Sequence, residues 1–184
     1  MIDTILWNRL DAPGHDACRL EPADSGWRLN GTAAFLHEGI PACLAYQVAC
    51  DGRWQTTRGI VQGWVGTHSI DWRIERTDRG VWLLDGEIAT HIDAGILDLD
   101  LGFTPATNLI QLRRVALQIG QAAAVPVAWL DAFVGTFDVL HQHYERRTRS
   151  AYWYAAPRFD YTALLEVGPT GFIHRYPGLW EVQP

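Results

Sequence analysis

The feature that most constrains this chain is a hydrophobic period of two, repeated in segments spread along its length. CLAYQVAC (43–50) puts Leu44, Tyr46, Val48 and Cys50 on one face. SIDWRIERT (69–77) separates Ile70, Trp72 and Ile74 from Asp71, Arg73 and Glu75. LDLDLGF (97–103) sets Leu97, Leu99, Leu101 and Phe103 opposite Asp98 and Asp100. Successive side chains of a strand point to opposite sides, so each segment reads as a half-buried antiparallel strand with one apolar and one polar face.

Turn signals separate these runs: CDGRW (50–54), RTDRGVW (76–82), LDGE (84–87), GFTPATN (102–108) and EVGPTGF (166–172). Each combines Gly, Pro, Asn or Asp between apolar runs, as hairpin loops do. Helical candidates are few. Residues 121–147 are interrupted by Pro126 and Gly135; 125–130 reads as strand, and 137–146 fits either strand or helix. WRIERTDRGVWLLDG (72–86) and ALLEVGPTGFIHRYPG (163–178) echo each other as strand, turn, strand, a faint sign of two similar halves. The expected fold is all-β: a large curved antiparallel sheet forming a half-closed barrel, with at most one short helix. The length of 184 residues, 48% of them hydrophobic, suits one domain over 1–184.

The net charge of −6 argues against nucleic acid as a partner, since phosphate binding relies on a basic field. All 15 basic residues are arginine, which favours planar, bidentate contacts over point charges. Cys18, Cys43 and Cys50 form no CxxC unit and read as buried, reduced thiols of a reducing compartment. The N-terminal MIDTILWNRLDAPGHD carries an early acid and no long apolar run, and no later stretch approaches the ~20 apolar residues of a spanning helix. A cytoplasmic protein without integral membrane association is expected.

Asp98 and Asp100 are the first candidates for chemistry. Strand residues i and i+2 lie about 6.6–6.8 Å apart, within the range of roughly 6.5–9.5 Å between the carboxyls of inverting glycosidases. Catalytic pairs flank a bond from opposite sides, however, whereas these two look the same way. A polar network with arginines (Arg73, Arg76, Arg113 or Arg114) on a concave sheet face suits them better. In HQHYE, a strand would align His141, His143 and Glu145 on one face for a metal ion, while a helix would scatter them. The three serines (Ser25, Ser69, Ser150) lie in no GxSxG, and no glycine-rich phosphate loop occurs. No cofactor is implied. Nine tryptophans exceed what most chains of this size carry; indole rings fill wide sheets and also suit amphipathic ligands and sugar faces.

AYQVACDGRWQTTRGIV (45–61), WRIERTDRGVWLLDG (72–86), LDLDLGFTPATNLIQLRR (97–114), VAWLDAF (127–133) and YPGLWEV (176–182) resemble, in this order, a bacterial family of putative glycolipid-binding proteins. The resemblance implies a curved, half-closed sheet and a non-enzymatic, lipid-accommodating function. On that reading Trp72, Trp129 and Tyr176 take the acyl part of an amphipathic or glycolipid-like molecule. Asp98, Asp100, Asn108 and Arg113, with Arg58 and Arg73, orient its head. The alternative is an enzyme acting on a sugar-containing or polar metabolite through Asp98 and Asp100, or through His141, His143 and Glu145.

Overall fold

The computed structural model describes residues 2–183. The alternating segments form a meander: β1 (Asp3–Arg9), β2 (Gly14–Ala23), β3 (Gly26–His37), β4 (Ile40–Asp51), β5 (Thr56–Val65), β6 (His68–Arg76), β7 (Trp82–Leu84) and β8 (Glu87–Ile88). The chain then leaves the sheet for β9 (Leu99–Leu101) and α1 (Asn108–Val115). It continues through β10 (Ala122–Ala124), β11 (Val127–Asp131) and β12 (Thr136–Leu140). A second meander follows, with β13 (His143–Arg146), β14 (Ala151–Ala156), β15 (Tyr161–Val167), β16 (Ile173–Tyr176) and β17 (Trp180–Val182).

The two meanders join where β1 pairs antiparallel with β17, giving one 14-stranded sheet in the order β10-β13-β14-β15-β16-β17-β1-β2-β3-β4-β5-β6-β7-β8. The sheet is antiparallel throughout and is not closed into a barrel, because β10 and β8 remain its two edges. The two sides of the β1–β17 junction are unequal, six strands (β13–β17 with β10) against eight. Along 137–146 the open choice between helix and strand resolves as two strands, β12 and β13, with His141 and Gln142 carrying the chain from the small sheet to the large one.

An open sheet of this width has an apolar concave face that must be covered. The segment between the meanders covers it: β9, β11 and β12 form a three-stranded inner sheet, with β11–β12 antiparallel and β9–β11 parallel. The inner layer touches both arms of the curve. Leu99 packs over Gly59, and its N–H donates to Thr56 Oγ1 of β5. On the opposite side Asp100 accepts from Gln142 beside β13. Arg113 of α1 reaches the 51–55 turn through Trp54 and the 167–171 turn through the Thr170 carbonyl. Indole N–H groups pin the layer further, Trp72 to the Ala132 carbonyl at 2.9 Å and Trp82 to the Ile96 carbonyl at 3.0 Å.

Two expectations are corrected here. LDLDL pairs in parallel with β11 inside the molecule and has no wet face: Asp98 is 0% and Asp100 7% exposed. GFTPATN leads into α1 instead of a hairpin. The helix is eight residues long and buries Leu109, Ile110 and Leu112 against the core. Such a helix is marginal alone and is held by packing.

Close packing under the concave face leaves little room at Gly31, where an added Cβ would lie 2.1 Å from the Tyr46 ring. Gly31→Ala is expected to cost about 1–3 kcal/mol of stability. Urea unfolding should register this as a lower midpoint; an unchanged midpoint would contradict the packing described.

Candidate functional site

Burying Asp100 of β9 and Asp98 just before it demands partners, and the two receive different ones. Arg114, in the last turn of α1, grips Asp98: Nε lies 2.8 and 2.9 Å from the two carboxylate oxygens and Nη2 lies 2.6 Å from one. Asp100 has only neutral donors. Thr107 Oγ1 donates to one oxygen at 3.3 Å, while Gln111 and Gln142 amides donate to the other at 3.4 and 2.5 Å. Tyr144 extends the network, accepting from Asn108 at 2.7 Å and donating to Gln111 Oε1 at 2.7 Å. Burial raises the pKa of both carboxyls; Arg114 opposes this at Asp98, and the amide and hydroxyl donors oppose it at Asp100.

A third buried acid lies nearby. Asp16 of β2 is 0% exposed and accepts from the Tyr46 hydroxyl at 3.0–3.1 Å and from Thr104. Burial pushes its pKa up to about 6, with the two hydroxyl donors acting against the shift. The register held the signal for this residue, since Asp16 alternates with Cys18 and Leu20 on the inner face of β2. Cys18 and Cys50 are buried and Cys43 half-buried, and all three are free thiols.

Thr104, Asp100 and Asn108 form the polar floor of a pocket of about 390 Å³. Its walls are aromatic: Trp129 of β11, Tyr154 of β14, Phe159 just before β15, Tyr161 of β15, Tyr176 of β16 and Trp180 of β17. Leu101, Leu140, Ala156 and Leu179 fill the gaps. Tyr154, Tyr161 and Tyr176 stand edge to face or tilted, with centroids 5.5–6.2 Å apart. Phe159 meets Trp129 edge-on at 5.5 Å, and the Arg158 guanidinium lies over the same indole at 4.8 Å. Arg158 is held by Asp138 at 2.7 Å. Rings around a few converging polar groups are the usual make-up of a small-molecule site. Wider concavities also exist, among them a trough of about 590 Å³ on the convex face across β1–β5 and a cleft of about 600 Å³ at the end of α1.

Of the residues singled out in the sequence, Asp100, Asn108, Trp129 and Tyr176 come together at the aromatic pocket. Asp98 does not line it, and Arg114 occupies both its oxygens. Trp72 lies under the inner sheet with its N–H bonded to Ala132. Arg113 lies at the far end of α1, over Trp54 at 5.5 Å. Arg58 and Arg73 are exposed on β5 and β6, the latter 3.7 Å from Asp71. His141 and His143 are exposed, and Glu145 pairs with Arg147 at 2.9 Å. Among the described residues no three His, Cys, Asp or Glu side chains gather to hold a metal ion. Thr104, Tyr154, Phe159, Tyr161 and Trp180 were not singled out, because a wall built from five separate strands has no local spacing.

The model of a family described as "Putative glycolipid-binding" matches residues 4–182. The chain belongs to that family. The crystal structure of a DUF1089 family protein from Pseudomonas aeruginosa shares 26% identity with it. The likeness covers 90% of this chain and 91% of that one, with a TM-score of 0.79. No curated protein matches the chain. In this member of the family, the inner sheet, α1 and β14–β17 together build the aromatic pocket.

The site predicts a pH dependence. A carboxyl with a folded pKa of about 6 against an ordinary 3.8 favours folding when protonated. That stability is complete below pH 3.8, falls as pH rises toward 6, and has lost about 3 kcal/mol above it. Asp16→Asn should therefore flatten the decline of unfolding free energy between pH 4 and 6.5, measured by urea titration at each pH. A variant that keeps the full slope would show that Asp16 is not its source.

Proposed function

We propose that this protein binds an amphipathic, glycolipid-like molecule in the aromatic pocket. The observation that carries the reading is the pairing of a buried polar floor with aromatic walls in one cavity of about 390 Å³. A sugar ring lies flat against Trp129 and the tyrosines, while its hydroxyls meet Asp100, Thr104 and Asn108. The Asp100 oxygens accept from Thr107, Gln111 and Gln142, which leaves a lone pair on Oδ1 for a sugar hydroxyl. The alkyl part runs outward past Phe159, which is 51% exposed. Each buried CH₂ contributes about 0.8 kcal/mol, so even a short tail gives useful affinity.

Binding is favoured over hydrolysis because glycosidases flank the bond with two carboxyls, and a single carboxyl lines this pocket. Among the described residues no helix is long and apolar enough to cross a membrane. The three free thiols support a reducing, cytoplasmic location.

Octyl glucoside below its micellar concentration is the direct probe. Calorimetric titration should give saturable binding, tighter than that of either glucose or octanol alone. Phe159→Ala, at an exposed position that spares the core, should weaken binding by roughly tenfold, the worth of one aromatic contact. The proposal fails if octyl glucoside does not bind, or if it binds this variant as tightly as the parent.

A further inference from the structure

The cleft at the C-terminal end of α1 is a separate feature that the aromatic pocket leaves unexplained. It encloses about 600 Å³ between α1, the 146–152 region and the 167–171 turn. Three of the chain's arginines, Arg113, Arg146 and Arg149, line it, and no aspartate or glutamate does. In a protein with a net charge of −6, such a convergence runs against the average field. Among the described residues none of the three is ion-paired, although eight other arginines are. The acids next to the cleft are engaged elsewhere, Glu145 with Arg147 and Glu166 with Arg175.

Two of the guanidiniums are held in place. Arg146 donates to the carbonyls of Leu117, Thr148 and Arg149 at 2.7–3.3 Å and lies over the Tyr152 ring at 5.5 Å. This leaves two of its five N–H groups free for a ligand. Arg113 donates to the Thr170 carbonyl and passes over Gly171, where an added Cβ would come within 3.1 Å of its Nε. Arg149 is exposed, and its side chain hydrogen-bonds to nothing among the described residues. Held donors cost less to order on binding than free ones. A phosphate monoester carries nearly two negative charges at neutral pH and several strong acceptor oxygens, which suits a set of arginine forks.

We propose that the Arg113–Arg146–Arg149 cleft is a second binding site, for a phosphate monoester carried on a group larger than phosphate itself. It shares no lining residue with the aromatic pocket.

Glucose 6-phosphate, inorganic phosphate, and vesicles of phosphatidylcholine with or without phosphatidic acid distinguish the possible sources. Calorimetry should show saturable, salt-sensitive binding of glucose 6-phosphate, tighter than that of inorganic phosphate. If vesicles bind only when they contain phosphatidic acid, and glucose 6-phosphate does not bind, the site holds and its source is a lipid headgroup. Arg149→Ala, which removes no side-chain hydrogen bond or ion pair among the described residues, should weaken binding roughly tenfold, as loss of a charged hydrogen-bond donor does. Arg113→Gln should act in the same direction, and neither change should alter binding of octyl glucoside. The proposal is overturned if no phosphorylated probe binds, or if binding is indifferent to both substitutions.

Discussion

Two carboxylates buried two residues apart, one on the short strand β9 and one just before it, are the constraint around which the interior is arranged. An unpaired buried carboxylate is too costly to persist, so each must find partners or take up a proton. Asp98 obtains a guanidinium from the last turn of α1, and Asp100 obtains hydroxyl and amide donors from the same helix and from Gln142. The helix is thus bound to β9 at both ends. The Thr107 hydroxyl, at the position that ordinarily caps a helix, donates to Asp100 instead.

This arrangement links the architecture to the pocket. A 14-stranded sheet that does not close must bury a concave apolar face, and a layer of β9, β11, β12 and α1 fills most of it. Leu99 turns toward one arm of the sheet and Asp100 toward the other. Where the layer stops short of β14–β17, the tyrosines of the sheet and Trp129 of the layer face each other across a gap. The gap inherits its polar floor from the carboxylate network, so the groups that hold the layer in place also face the cavity.

The legible part of the fold is that written in period two. The strands β4 and β6 and the turns at 50–54, 76–82, 84–87 and 166–172 follow from alternation and turn chemistry. Alternation tells which side chains share a face but not whether that face is wet, which is why Asp98 and Asp100 read as solvated. NLIQLRRV spans barely two turns after a Pro- and Thr-rich stretch, too short for a helical period to emerge. Part of the pocket was legible because Asp100, Asn108, Trp129 and Tyr176 are conspicuous residue types. Arg58 and Arg73 read as equally good head-group contacts, but they sit on the outer side of their strands. Only the path of the sheet brings Tyr154, Tyr161 and Trp180 to the same cavity.

The nine tryptophans provide a direct test of where an amphipathic ligand sits. Trp129 and Trp180 line the pocket, whereas Trp64 and Trp153 are exposed at 45% and 38% and lie outside it. With indole nitrogens labelled by ¹⁵N, a titration with octyl glucoside followed by NMR should shift the Trp129 and Trp180 signals and leave those of Trp64 and Trp153 in place. Shifts confined to Trp64 and Trp153 would put the ligand on the outer surface and contradict the account.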